Sequence, residues 1–143
     1  MYEELKKEIK TCEGYVPKIY KCSEGFDTIF YGHKITPDDD YEHDIEYTKE
    51  EGERVFEEDF NRTLQAAERL IGERNINYIA KEVIVNMVYQ IGEGGVSKFK
   101  NMWSALDRED YGEASFQMLD SLWAKQTPAR AGKLAGKMRS AKS

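Results

Sequence analysis

The sequence predicts an α+β fold that is mainly α-helical. Apolar residues recur with the 3.6-residue helical period over most of the chain, one short β-prone stretch lies between residues 17 and 31, and no internal repeat or low-complexity linker divides the 143 residues. A chain of this length is one compact domain, and it can bury roughly two-thirds of the surface its unfolded form exposes. Its 40% apolar and 34% charged residues, with three prolines, describe an ordered protein rather than a disordered one.

Residues 2–12 set Leu5, Ile9 and Cys12 on one side of a helix and Lys6, Lys7 and Lys10 on the other, and Gly14 stops it. Glu13 is then left at the helix C-terminus, where the macrodipole disfavours a negative charge and favours the protonated acid. The segments KIY and TIFY, separated by the turn chemistry of Ser23-Glu24-Gly25, form a β-hairpin. An acidic loop follows over residues 34–47, expected as a solvated lip with His43 an exposed bystander. Thr48-Lys49-Glu50-Glu51 is a capping box that opens a helix ending near Gly72, long enough at about 1.5 Å per residue to join two lobes. Residues 76–91 are apolar on nearly every side, as in a helix at the middle of a core, and Gly92, Gly94 and Gly95 break it. Further helices are expected over residues 96–106, over 110–123 with Asp110 and Glu113 as a capping pair, and from Thr127-Pro128 onward, with Thr127 as cap.

Several functional classes are disfavoured by composition. No apolar run approaches the ~20 residues of a membrane span, so no membrane insertion is expected. The first residues, MYEELKKEIKTCEG, lack the apolar core of a signal peptide, which places the chain in a cytoplasm. Cys12 and Cys22 are too few for a disulfide framework and are read as thiols. His33 and His43 lack a Cys/His cluster, so neither a metal nor a cofactor is expected, and Gly92-x-Gly94-Gly95 follows a helix rather than a strand, against nucleotide binding. The net charge of −6 argues against nucleic acid. Residues 124–143 nevertheless carry six basic side chains and no acids, leaving −12 on the first 123, so the C-terminal helix is a solvated basic face or a surface for anionic polymers.

The chemistry concentrates in residues 13–33. A carboxylic acid at a helix end, a thiol nine positions later and a hydroxyl six after that can meet in one cleft when the last two stand on paired strands. This spacing, Glu13, Cys22, Thr28, resembles the catalytic pattern of glycoside hydrolase family 24, the phage-type lysozymes or endolysins, whose middle position is Asp or Cys. The segment from Asn86 to Glu93, NMVYQIGE, resembles the central helix of the T-even members, and Trp123 with Gln126-Thr127-Pro128-Ala129-Arg130 resembles their C-terminal motif. Three motifs in the family's order cover nearly the whole chain.

The resemblance implies a lysozyme-like two-lobe fold, with a small antiparallel sheet in an N-terminal lobe of about residues 13–59 and a helical lobe of about 60–143 joined by helix 1–12. It implies hydrolysis of the β-1,4 bond between N-acetylmuramic acid and N-acetylglucosamine in bacterial peptidoglycan, by a monomer that accumulates in the host cytoplasm and reaches the wall through a separate holin-type pore. Acetal cleavage needs a proton on the leaving oxygen, a stabilised oxocarbenium-like centre and an attacking water. Glu13 is the general acid by analogy; partial burial raises its pKa, and Arg130, which approaches this carboxylate in the family, lowers it. Cys22, where the T-even pattern has Asp, is either a nucleophile forming a transient thioglycoside or a neutral group helping Thr28 hold the water, the second fitting an inverting reaction. Its thiol is expected to be mostly neutral beside an ionised Glu13. Tyr89, Gln90 and Gln117 match substrate contacts by position and type, Lys34 and Met102 by position only. Trp123 reads as core. His33 resembles the family histidine paired with an acid on the long helix, here Asp59, as a stabilising ion pair. Phe30 stands where the family commonly has the first glycine of Gly-x-Gly-His, and is expected to stack on a sugar face. The alternative reading is a noncatalytic peptidoglycan-binding relative of the same fold.

Overall fold

A computed structural model of the chain describes residues 2–142. Contacts group the chain into two compact units, one ending at Arg62 and one beginning at Thr63, so the boundary falls inside the long helix.

The first unit begins with α1 (Glu3–Glu13), whose Leu5 and Ile9, one turn apart, are buried. Gly14, with φ 74°, ends it and donates its N–H to the Lys10 carbonyl. The expected placement of Cys12 on the apolar face is corrected: it is exposed, because the stripe buries only the middle of the helix and Cys12 lies in the last turn. Helix α1, expected with the helical lobe, falls in the first unit, where Lys6 and Lys10 pair with Glu57 and Glu53 at 2.8 and 2.9 Å.

The expected hairpin is a three-stranded antiparallel sheet of β1 (Val16–Lys21), β2 (Asp27–Phe30) and β3 (His33–Lys34), in that order. The β1–β2 register sets Tyr20 opposite Thr28, and the β2–β3 register sets Thr28 opposite Lys34. Ile29, Phe30 and Val55 form the core, with Tyr15, Ile19, Ile35, Tyr41 and Tyr47 packed on it. Two expectations change here. The acidic loop is not simply a solvated lip, because it sends Ile35, Tyr41 and Tyr47 back onto the sheet. Phe30 is fully buried, its ring edge-on to Tyr41 at 5.5 Å and Tyr47 at 6.3 Å, so it is unavailable to a sugar. Its backbone holds φ 60°, the left-handed conformation that glycine adopts without cost.

The long helix α2 (Lys49–Ile71) opens as its capping box requires, Thr48 Oγ1 accepting from the Glu51 N–H at 3.2 Å. The Glu51 carboxylate accepts instead from Arg54 and from the Tyr41 hydroxyl, tying the loop to the helix. Gly52 is required by space: a Cβ there would lie 2.7 Å from the Tyr15 ring and 3.1 Å from Phe30.

In the second unit α3 (Tyr78–Ser97) is capped by Asn77, whose Oδ1 accepts from Ile79 N–H at 2.7 Å, and it buries Ala80 and every residue from Val83 to Val88. The expected glycine break is a kink at Gly92 (φ 81°), after which helical structure resumes. α4 (Lys100–Asp107), α5 (Tyr111–Leu119), α6 (Leu122–Gln126) and α7 (Pro128–Ser140) complete the described chain. The single helix expected over 110–123 is two, since Ser121 accepts from Ala124 N–H at 3.1 Å and starts α6. Asp110 caps α5 through Glu113 N–H at 3.0 Å. Thr127 does not cap α7 by its side chain; its hydroxyl donates to the Trp123 carbonyl at 3.0 Å. Among the described residues no helix is long and apolar enough to cross a membrane.

Candidate active site

The first unit gathers the acid, the thiol and the hydroxyl named from sequence. Glu13 is the last residue of α1 and is half-buried. Gly32, in the β2–β3 turn with φ 69°, lies against it: a Cβ on Gly32 would sit 3.1 Å from the Glu13 carboxyl carbon and closer still to Oε1. The turn residue therefore supplies the room in which the acid stands.

Cys22 follows β1 and is half-exposed. Its N–H donates to the Phe26 carbonyl at 3.0 Å, closing the turn to β2. The thiol is held below its ordinary pKa, first by the Phe26 backbone N–H, with burial opposing, and then by the Glu24 N–H and the charge of Lys34. Sequence reasoning expected a mostly neutral thiol and did not count the turn amides, which lower its pKa. Thr28 is buried (2% exposed), and its Oγ1 donates to the Phe26 carbonyl at 2.9 Å. With that proton committed, the oxygen keeps lone pairs free to accept.

Tyr20 was not singled out from sequence, although it precedes Cys22 by two on one strand, the spacing that returns a side chain to the same face. Its phenol is pushed up by burial and then by the charges of Glu13 and Cys22.

Beside the site, His33 Nδ1 lies 2.7 Å from Asp59 Oδ2 and Nε2 lies 3.0 Å from Asp39 Oδ2. Ionised carboxylates only accept, so the ring satisfies both contacts when each nitrogen carries a proton. Burial acts to lower its pKa, but the bonds and charges of Asp59 and Asp39 raise it. Asp39 was missed in the sequence; the Thr36 N–H, 2.8 Å from its Oδ2, brings it to the ring. Asp59 also meets Arg62 in a close ion pair.

The remaining expected residues are distributed over both units. Lys34 is exposed on β3, its Nζ 5.1 Å from the centre of the Phe26 ring. In the second unit, Tyr89 is half-buried on α3, and Gln90 Oε1 accepts from the buried Trp123 Nε1 at 2.8 Å. Gln117 donates to Glu113 at 2.7 Å and borders a concavity of about 380 Å³, on whose floor Met102 is almost wholly buried. Arg130 donates from Nε and one terminal nitrogen to Asn86 Oδ1, at 3.0 and 2.7 Å. Among the described residues no group of three or more His, Cys, Asp or Glu side chains could hold a metal ion.

A helix ending in a carboxylic acid, a small three-stranded sheet that carries the hydroxyl and leads into the thiol, and a mainly helical second unit define a lysozyme-like α+β protein. The chain belongs to the phage lysozyme family, whose model matches residues 10–141. It is 29% identical to probable T4-type lysozyme 2 of Dictyostelium discoideum, over 94% of this chain and 92% of that protein. It is 31% identical to the pre-baseplate central spike protein Gp5 of Enterobacteria phage T4, over 85% of this chain and 25% of the spike protein. Peptidoglycan hydrolase gp36 of Pseudomonas phage phiKMV is 29% identical, over 88% of this chain and 14% of its own length. These relationships make the chain a peptidoglycan hydrolase.

Proposed function

We propose that the chain hydrolyses the β-1,4 bond between N-acetylmuramic acid and N-acetylglucosamine, with Glu13 as general acid and inversion at the anomeric carbon. The observation that carries this reading is the seat of Glu13 against Gly32, in the unit whose sheet bears Thr28 and whose first strand leads into Cys22. Glu13 gives its proton to the leaving oxygen, and the electron pair of the breaking C1–O bond stays on that oxygen. Water attacks C1 from the opposite face. One water proton passes to Cys22, which the turn amides draw toward the thiolate, while Thr28 accepts a hydrogen bond from the water. Exchange with solvent then returns the proton to Glu13 and frees the sulfur.

Lys34, Tyr89, Gln90, Met102 and Gln117 are proposed to meet the glycan or its peptide, and Arg130 to act on Glu13. His33 and Asp59 hold the fold. The protein works as a monomer, accumulates in the host cytoplasm and lyses the host once a separate pore opens the way to the wall. A turbidity assay on bacterial cells tests the reading: wild type clears the suspension, and Glu13→Gln, with unchanged circular dichroism, loses that activity by about a hundredfold or more. Equal clearing by both proteins would leave a wall-binding protein without this chemistry.

A further inference from the structure

The sheet carries one more polar side chain on the face of the reacting groups. Tyr20 pairs directly with Thr28 across β1 and β2, and directly opposed residues of an antiparallel pair project to the same side. The two-residue alternation of a strand brings Cys22 to that side as well. Tyr20 is half-buried, and among the described residues its hydroxyl has no hydrogen-bond partner, which leaves it open to one from solvent. It is near enough to Glu13 and Cys22 to feel both charges and is bonded to neither.

We infer that Tyr20 is a positioning residue for the hydrolytic water, its hydroxyl and that of Thr28 forming two fixed points that hold the water beside Cys22. The inference rests on the hydrolase reading above. Thr28 has committed its proton to the Phe26 carbonyl and can only accept from the water. The phenolic hydroxyl turns about its C–O bond and supplies the second contact, so that a lone pair of the water is left directed at the anomeric carbon. A phenol suits this place because it stays neutral: it neither competes with Glu13 for the proton delivered to the leaving group nor repels the carboxylate that delivery leaves behind.

Tyr20→Phe in the full chain, assayed on purified peptidoglycan, tests it. The variant should lose roughly ten- to a hundredfold in kcat, the scale on which misplacing a reactant acts, with KM and the thermal midpoint unchanged. An unaltered kcat, or a raised KM at constant kcat, overturns the inference, the latter by making the hydroxyl a substrate contact. A cycle with Thr28→Val gives a second measure, insensitive to a uniform loss of stability. Two groups holding one water should be non-additive, with the double variant little worse than the poorer single one, and fully multiplicative losses would refute a shared water. Glu13→Gln keeps the two readings apart: its retention of activity sinks the hydrolase assignment, whereas a dead Glu13→Gln with an unimpaired Tyr20→Phe sinks the role of Tyr20 alone.

Discussion

Glu13 owes its place to a residue with no side chain. At Gly32 a methyl group would meet the acid, and φ 69° would strain any L-residue. Gly32→Ala should therefore cost about 1 kcal/mol or more in stability, from the backbone alone, and displace the acid as well. Urea denaturation beside a lysis assay should show activity falling further than the fraction folded at assay conditions accounts for; loss of activity only in proportion to unfolding would remove Gly32 from the site. Cys22 makes a separate claim. Its rate of alkylation by iodoacetamide should reach half-maximum below pH ~8.5, the ordinary thiol value, because turn amides and Lys34 favour the thiolate. Cys22→Asp should keep activity within about tenfold, and Cys22→Ser, which lacks a ready proton acceptor, should lose about a hundredfold. The first-formed product should be the α-anomer by NMR, and a β-anomer would point to the transient thioglycoside instead.

At the scale of elements, His33 straps the acidic loop and α2 to the sheet through Asp39 and Asp59. Its folded pKa is raised, so its contribution is complete below the unfolded value of ~6.5 and is lost as pH climbs through the higher folded value. Asp39 runs the other way. Burial opposes ionisation, but the Thr36 N–H and His33 lower its pKa, so its contribution holds above ~3.9 and fades as pH falls through the folded value. Thermal midpoints should thus be highest between about pH 4 and 6.5 as far as this strap is concerned. Asp39→Asn should flatten the decline on the alkaline side, and an unchanged slope would separate the strap from stability. Phe30 is the other anchor. Phe30→Ala empties the centre of the aromatic cluster and should cost about 3–5 kcal/mol, measured by urea unfolding, whereas a loss under 1 kcal/mol would mean that the cluster contributes little.

Over the whole molecule, what the sequence made legible was what lies close along the chain. The acid–thiol–hydroxyl spacing spans a helix end and a hairpin, elements that local periodicity and turn residues specify, and the long helices announce themselves by their apolar stripes. Register and packing were not legible. Tyr20 joins the site because a particular strand pairing sets it against Thr28, and Asp39 reaches His33 because an aperiodic loop folds back on itself. Phe30 looked like a sugar platform until the loop's own tyrosines proved to cover it, and Cys12 kept its helical phase but had nothing to pack on. The most direct test of the central claim is to digest purified peptidoglycan and identify the new ends by mass spectrometry. The wild type should release muropeptides with N-acetylmuramic acid at the reducing end, and a folded Glu13→Gln should release almost none. Cleavage at any other bond, or equal release by the two proteins, would contradict the account.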